Sequence, residues 1–219
     1  MLKELTKIKE GIVDILWPKM CLGCGKEGRY ICDNCEVFLS ESEMLKVGPS
    51  TLKPRIMSLW EYEGVIEKAI LKIKYEGCYD IIGELMDNAF QKIDLNLPKD
   101  TAITFVPMFR KREKLRGFNQ AELIARKIGE ATGKSVVRLL EKVRDNRSQV
   151  GLDPQERAAN VRGVFETLKV GPSTFKPRSV LVVDDVYTTG STMGECLKVL
   201  RRAGVKEIYG FTLARKLFI

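Results

Sequence analysis

One stretch of sequence decides the fold of this chain: Val180-Leu181-Val182-Val183-Asp184-Asp185-Val186-Tyr187-Thr188-Thr189-Gly190-Ser191-Thr192. Its four consecutive aliphatic residues predict a strand buried on both faces, as in a parallel sheet with helices on either side. Two carboxylates follow at the carboxyl end of that strand, where open α/β sheets place their ligands. The small, hydroxyl-rich turn after them leads to a helix expected to begin near Thr192. Backbone N–H groups, hydroxyls and the helix dipole together predict a phosphate site.

Two other interpretations of this stretch exist. The Asp pair could simply cap the following helix and touch solvent. A Walker-type phosphate loop is a poorer interpretation, because no Gly-Lys-Ser/Thr follows the turn. The close succession of strand, acid pair, Thr-Thr-Gly and second hydroxyl pair favours the phosphate site.

The stretch resembles the phosphoribosyl pyrophosphate (PRPP) signature of type I phosphoribosyltransferases. The resemblance implies that the acids Asp184 and Asp185 hold the ribose hydroxyls. It assigns the 5-phosphate to Thr188, Thr189, Gly190, Ser191 and Thr192. In an enzyme, the two acids would act as catalytic residues by holding the ring while pyrophosphate leaves ribose C1 and a nitrogen nucleophile attacks. Mg²⁺ bound with PRPP would neutralise the leaving group.

A second constellation consists of two CxxC pairs separated by seven residues: Cys21, Cys24, Cys32 and Cys35. Such pairs predict one tetrahedral metal site, and four thiolates suit Zn²⁺, with iron as an alternative. We expect a structural ion, because four sulfurs leave no open coordination position. Two disulfides are an alternative, but no secretory signal is recognised and two further cysteines stand alone, which favours a reducing cytoplasm. A redox CxxC should follow a βαβ strand.

Composition narrows the chemistry. The 219 residues include no histidine, which excludes histidine-ligated zinc, catalytic triads and imidazole proton shuttles. The net charge of +8 predicts attraction to anions. No segment approaches the roughly 20 apolar residues needed to cross a bilayer. We therefore expect a cytoplasmic protein, with an amphipathic helix over residues 3–17 that docks on the body and ends before Pro18.

The middle of the chain predicts helices between Val65 and Gln91, with a break at Glu76-Gly77, and a strand over Ile103 to Pro107. A cationic loop follows and leads into a helix over Ala121 to Gly129. Charge, backbone donors and the helix dipole suit this loop to a pyrophosphate, although a solvated basic loop is an alternative. The candidate pyrophosphate ligands are Arg110, Arg112 and Arg116.

Further motifs combine into a whole-chain pattern: VP-x3-R-x5-RGFNQA from Val106, Arg147-Ser148-Gln149, Arg157 to Phe165, and the KIKYEG segment from Lys72. With the PRPP stretch and the cysteines, they resemble the ComF family, phosphoribosyltransferase-like proteins of bacterial competence related to GntX. The resemblance implies a parallel sheet flanked by helices in residues 46–219, and an N-terminal helix with a zinc module in residues 1–45. It also implies a mobile loop over residues 143–163 that closes over PRPP with Arg144, Arg147, Arg157 and Arg162, although a plain surface loop is an alternative.

Three functions are consistent with the resemblance. The first is a competence protein that assists DNA uptake, with single-stranded DNA or competence proteins such as a DNA helicase or translocase as partners, recruited to the inner face of the membrane. The second is a phosphoribosyltransferase acting on an unidentified nitrogen nucleophile. The third is a regulator that senses PRPP without turnover. Single-stranded DNA would need aromatic platforms beside cations, and Phe109 and Phe118 are the candidates. We expect Cys78 and Cys196 to be small buried apolar residues.

Overall fold

The computed structural model describes residues 18–40, 45–47, 55–90, 95–146, 153–168 and 177–216. Its helices are α1 (Asp33–Ser40), α2 (Gly64–Tyr75), α3 (Ile81–Phe90), α4 (Arg110–Arg116), α5 (Gln120–Thr132), α6 (Pro154–Val161) and α7 (Ser191–Arg202). Its strands are β1 (Leu45–Val47), β2 (Arg55–Glu61), β3 (Thr101–Phe105), β4 (Leu140–Lys142), β5 (Phe165–Thr167), β6 (Ser179–Tyr187) and β7 (Glu207–Arg215). The helix expected over residues 3–17 lies outside the described residues.

The main sheet has the strand order β1-β2-β7-β6-β3. Strands β2, β7, β6 and β3 are parallel, and β1 joins the edge antiparallel to β2. Strands β4 and β5 form a separate antiparallel pair. Because the four parallel strands share one direction, their carboxyl ends meet at one edge of the sheet, which is where such sheets bind ligands.

Strand β6 is buried on both faces, as its aliphatic run predicts. Leu181 and Val183 pack in the cluster that contains the buried faces of α2, α3 and α5. Val180 and Val182 pack in a second cluster with α7, β4, β5 and the end of α6. The alternation follows from the two-residue period of a strand. Helices therefore cover both faces of a parallel sheet, and the expected α/β class is confirmed.

Two segments differ from the expected loops. The cationic segment after β3 contains the helix α4, built from strong helix formers and ended by Gly117 in the left-handed conformation. The expected mobile loop over residues 143–163 contains the helix α6. Asp153 and Glu156 form a capping box there, and Pro154 occupies the first turn. The strand expected over 103–107 instead covers Thr101–Phe105, so it begins and ends two residues earlier, where it pairs with β6.

The cysteine-containing segment packs against the main body. Ile31 is fully buried and belongs to the main core together with Leu39. Glu84 of α3 accepts the backbone N–H groups of Tyr30 at 3.2 Å and Ile31 at 2.7 Å. The two parts therefore share core and hydrogen bonds.

The two lone cysteines differ from each other. Cys196 is fully buried, as expected, whereas Cys78 is only partly buried. Cys78 lies in the connection between α2 and α3, where one side stays open to solvent. Among the described helices, none combines the length and the apolar character needed to span a bilayer.

Candidate active site and metal centre

A cleft of about 650 Å³ opens at the carboxyl ends of the parallel strands. Its lining combines acids, hydroxyls and cations from seven separate segments of the chain. The predicted residues that line it are Asp184, Asp185, Thr188, Gly190, Ser191, Thr192, Arg112 and Arg116. The fold thus brings together the acid pair, the turn and two of the three arginines.

The two neighbouring acids have different surroundings. Asp185 is 6% exposed, and Lys74 Nζ lies 2.9 Å from its Oδ2. Gln120 Nε2 donates to the same oxygen at 2.8 Å. Asp184 lies partly open to the cleft, and its Oδ1 accepts the N–H of Asp185 at 2.9 Å. Desolvation and the adjacent Asp185 carboxylate raise the pKa of Asp184 to about 7. Asp185 is therefore held by the protein, while Asp184 keeps part of its surface exposed to the cleft.

The turn after β6 has a fixed shape. Gly190 has φ +75°, and a Cβ there would collide with the ring and hydroxyl of Tyr187. Thr189 does not line the cleft but shares a 2.8 Å hydrogen bond with the Ser191 hydroxyl. Helix α7 begins at Ser191, close to the expected start at Thr192. Because the first turn of a helix leaves N–H groups without intrahelical partners, this geometry suits a phosphate.

The arginines of α4 divide between two sides of that helix. Arg112 and Arg116 lie one turn apart and both line the cleft, whereas Arg110 is exposed and does not. Arg112 donates to the carbonyl oxygen of Asn146 at 2.6 Å and pairs with Asp145 at 3.0 Å. Arg116 Nη1 donates to Gln120 Oε1 at 2.7 Å, which links this arginine to Asp185 through Gln120.

The segment expected as a mobile loop supplies further cations. Arg157 on α6 lines the cleft, and so does Lys142, which directly precedes the segment at the end of β4. Burial and the nearby charge of Arg112 lower the pKa of Lys142. Arg144 instead donates to the carbonyl oxygen of Gly163 at 2.6 Å, and Arg162 is exposed. Arg147 lies outside the described residues. The positive charge around Lys142 and Arg112 favours an anionic ligand.

Several lining residues escaped sequence reasoning. Tyr62, Leu71, Lys74, Tyr75 and Lys216 line the cleft from the side of β2, α2 and β7. Lys74 and Tyr75 belong to the KIKYEG segment, which contributed to the family resemblance without an assigned role. Their position depends on the folding of α2 over the sheet edge, which no local pattern reveals.

Comparison with known proteins identifies the family of this chain. Residues 116–217 match the family described as "Phosphoribosyl transferase domain". The chain is 32% identical to "Competence protein F" of Haemophilus influenzae over 203 aligned residues. The alignment covers 89% of this chain and 84% of that protein. The chain belongs to the ComF family. It is 29% identical to "Competence protein ComFC" of Streptococcus pneumoniae, over 89% of this chain and 80% of the relative. It is 25% identical to "DNA utilization protein YhgH" of Escherichia coli, over 90% of this chain and 89% of that relative.

In this ComF protein the four predicted cysteine ligands converge. The Sγ atoms of Cys21, Cys24, Cys32 and Cys35 lie within 4.8 Å of one another, and those of Cys24 and Cys32 are 3.5 Å apart. Tetrahedral zinc with bonds of about 2.3 Å needs sulfurs about 3.8 Å apart. The donor set therefore fits one ion.

The backbone around Cys21 favours its thiolate, and Gly23 makes room for the Cys35 sulfur beside it. A Cβ at Gly23 would lie 2.6 Å from Cys35 Sγ, so only glycine lets the sulfur approach here. Cys21 Sγ accepts the N–H of Cys32 at 3.4 Å. Although burial alone would raise it, backbone N–H groups lower the pKa of Cys21 to about 6. A thiolate is the form that binds metal.

The two aromatic candidates for base stacking in this ComF chain differ in how they pack. Phe118 packs against the main core, and its ring lies edge-on to Tyr79 with centroids 5.6 Å apart. It is therefore a structural residue. Phe109 is partly buried at the start of α4.

Proposed function

We propose that this ComF-family protein binds PRPP in the cleft and serves DNA uptake in competence. One observation carries the proposal: a partly exposed acid, a hydroxyl-rich turn at a helix start and two arginines line a single cleft. These are the three groups that a sugar carrying a 5-phosphate and a 1-pyrophosphate requires. The names of the relatives support the role in DNA uptake.

Each part of PRPP has a proposed partner. The 5-phosphate lies at the Thr188 to Thr192 turn and receives donors from the first turn of α7. Asp184 accepts hydrogen bonds from the ribose hydroxyls. The N–H of Asp185 positions the Asp184 carboxylate. Arg112 and Arg116 receive the pyrophosphate, because guanidinium groups bind phosphate oxygens bidentately.

The charges of the cleft also suit the departure of pyrophosphate. As the C1–O bond breaks, positive charge develops on the ribose ring and negative charge on the leaving group. Asp184 stabilises the first, while Arg112, Arg116 and Lys142 stabilise the second. Mg²⁺ bound with PRPP would supply further neutralisation of the pyrophosphate, and Asp184 is the carboxylate that faces it.

We propose that the four cysteines hold a structural Zn²⁺. The module formed by residues 18–40 has few buried residues of its own, so an ion would supply much of its folding free energy. We further propose that residues 1–45 form the metal module and residues 46–219 the phosphoribosyltransferase-like body, and that the protein acts in the cytoplasm beside the uptake machinery.

Calorimetric titration of the full chain with PRPP and Mg²⁺ tests ligand binding. We expect binding by the wild type and its loss when Asp184→Asn and Asp185→Asn are combined. Equal affinity in both proteins would reject the site. Release of pyrophosphate across a panel of amines and bases then separates an enzyme from a PRPP sensor: release only in the presence of a nucleophile indicates a transferase.

A second candidate activity is binding of single-stranded DNA beside the cleft. The outer side of α4 exposes Arg110, Lys111, Lys114 and Leu115, of which Leu115 is 81% exposed. A basic surface with an apolar residue suits a DNA strand, with affinity that falls steeply with salt. Replacing Lys111 and Lys114 by Gln should weaken binding of an oligonucleotide and reduce its salt dependence. Unchanged binding would assign the DNA to another surface.

A further inference from the structure

The RGFNQ segment, residues 116–120, joins the end of α4 to the start of α5, and its three middle residues hold it in one shape. Gly117 ends α4 in the left-handed conformation, with φ +84°. Phe118 packs against the main core. Asn119 is buried, where its side chain caps α5 and donates to the carbonyl oxygen of Val106 at 3.1 Å. The first and last residues of the segment are therefore held at a fixed spacing.

These two end residues, Arg116 and Gln120, contact each other beside the acid Asp185. Arg116 Nη1 donates to Gln120 Oε1 at 2.7 Å, and Gln120 Nε2 donates to Asp185 Oδ2 at 2.8 Å. A guanidinium group can only donate and a carboxylate can only accept, so the Gln120 amide has one orientation here. Lys74 Nζ lies 2.9 Å from the same Asp185 oxygen and balances its charge.

The hydrogen bonds continue from Asp185 to its neighbour. The N–H of Asp185 donates to Asp184 Oδ1 at 2.9 Å. A chain of contacts therefore runs from Arg116, which we propose binds pyrophosphate, through Gln120 and Asp185 to Asp184, which we propose binds the ribose. Asp185 is 6% exposed, so the middle of this chain is shielded from water. Hydrogen bonds in such chains polarise one another.

We infer that Gln120 is a positioning residue that couples the two ends of the PRPP site. It orients the Arg116 guanidinium for the pyrophosphate and, by holding Asp185, keeps the Asp184 carboxylate in place for the ribose. PRPP reaches both ends and gains from both effects. Ribose 5-phosphate has no pyrophosphate for Arg116 and gains only from the second. This inference rests on the proposed function, because it takes PRPP as the ligand.

Two ligands separate this role from a general loss of structure. Calorimetry of the full chain with Mg²⁺ measures the affinities for PRPP and ribose 5-phosphate in the wild type, Gln120→Ala and Gln120→Met. Both variants remove the amide, and the methionine keeps the length of the side chain, so an effect of lost packing appears only in Gln120→Ala. PRPP should bind about tenfold more weakly to both variants, the scale of one charge-assisted hydrogen bond.

Ribose 5-phosphate should lose less affinity in these variants, because Lys74 still contacts Asp185. Gln155→Ala is the matched control, since Gln155 is exposed on α6 and does not line the cleft, and it should change neither affinity. Equal losses for the two ligands, or an unchanged affinity for PRPP in Gln120→Met, would overturn the inference.

A cycle of variants measures the coupling itself. Arg116→Ala should weaken PRPP binding strongly when Gln120 is present. In the Gln120→Ala background the same change should cost about tenfold less, because the guanidinium is no longer oriented there. Additive effects of the two substitutions would show that Gln120 does not position Arg116, which also overturns the inference.

An exchange of donor and acceptor provides a rescue. Gln120→Glu alone places a second carboxylate beside Asp185 and should weaken PRPP binding. Combining it with Asp185→Asn restores one donor and one acceptor between the two positions, at the net charge of the wild type. The combined variant should bind PRPP more tightly than Gln120→Glu, and no such recovery counts against the inference. Absence of PRPP binding in the wild type instead rejects the proposed function, and the inference with it.

Discussion

The metal module and the cleft are two candidate sites built in opposite ways. The module draws its four sulfurs from residues 21–35, so one short segment contains the whole ligand set. The cleft draws its lining from segments between Tyr62 and Lys216, most of the described chain. A local site can be identified from spacing alone, because its geometry follows from the turn between its ligands. A distributed site depends on strand order and helix packing.

The difference also concerns what stabilises each region. In our proposal the module relies on a Zn²⁺ ion held by its four cysteines, and it docks to the body through Glu84 and Ile31. The cleft rests on a sheet whose central strands β6 and β3 are largely buried, and on helices packed over both faces. Metal removal should therefore affect the two regions unequally.

The largest effect is expected from Cys24→Ser. Structural zinc contributes on the order of 10 kcal/mol to small modules, so loss of one ligand should release the ion and lower Tm by about 10 °C or more. Elemental analysis and thermal unfolding measure both. Cys78→Ser is the matched control, because Cys78 lies outside the cluster, and it should keep one ion per chain. An unchanged metal content in Cys24→Ser would contradict the ligand assignment.

Gly190→Ala should damage the cleft without affecting the module. A left-handed residue with a Cβ against Tyr187 costs about 3 kcal/mol in strain and overlap. PRPP affinity and Tm should both fall, while metal content stays at that of the wild type. Gly194→Ala is a suitable control, since a Cβ there meets nothing within 4 Å. Full PRPP affinity in Gly190→Ala would show that the turn does not hold phosphate.

Glu84→Ala tests the connection between the two regions. Two backbone N–H groups lose their acceptor, which should cost about 2 kcal/mol. Hydrogen exchange should show faster exchange at Tyr30 and Ile31, with the cleft unaffected. Exchange rates equal to those of the wild type at these two amides would mean that the module docks by other contacts.

Asp184→Asn should give the smallest effect, a gain in stability that depends on pH. The folded pKa of about 7 exceeds the ordinary 3.8, so the charged form is disfavoured in the native state. Native stability therefore falls as pH rises from 4 to 7 and is level above 7. Removing the charge should add on the order of 1 kcal/mol at pH 8 and progressively less toward pH 4. Urea unfolding at several pH values measures the stability gained by the variant. A gain in stability that does not depend on pH would contradict the raised pKa of Asp184 as its cause.

The sequence predicts the buried strand β6 and the cysteine cluster better than the segments that surround the cleft. Val180 to Val183 identify a doubly buried strand because both strand faces are apolar, and the cysteines identify a metal site because their spacing is local. The helical state of α4 was missed because its charge suggested a solvated loop, although its residues are strong helix formers. The capping box of Asp153 and Glu156 is likewise a local pattern that predicts a helix, whereas the family resemblance implied a loop there.

The remaining residues could not be predicted from local pattern. The pairing of Lys74 with Asp185 exists because α2 crosses the carboxyl edge of the sheet, and a charged residue on a helix ordinarily indicates solvent. The different surroundings of Asp184 and Asp185 have the same origin. Adjacent acids look equivalent in sequence, but the strand turns one toward Lys74 and Gln120 and leaves the other open.

The most direct test of the central claim is the affinity for PRPP and Mg²⁺ of three proteins: wild type, Asp184→Asn and Asp87→Asn. Asp87 lies exposed on α3, outside the cleft, and its variant carries the same change in charge. Calorimetry should give one site per chain in the wild type and the control. In Asp184→Asn we expect about tenfold weaker binding, the scale of a charge-assisted hydrogen bond. Equal affinity in all three proteins would contradict the account.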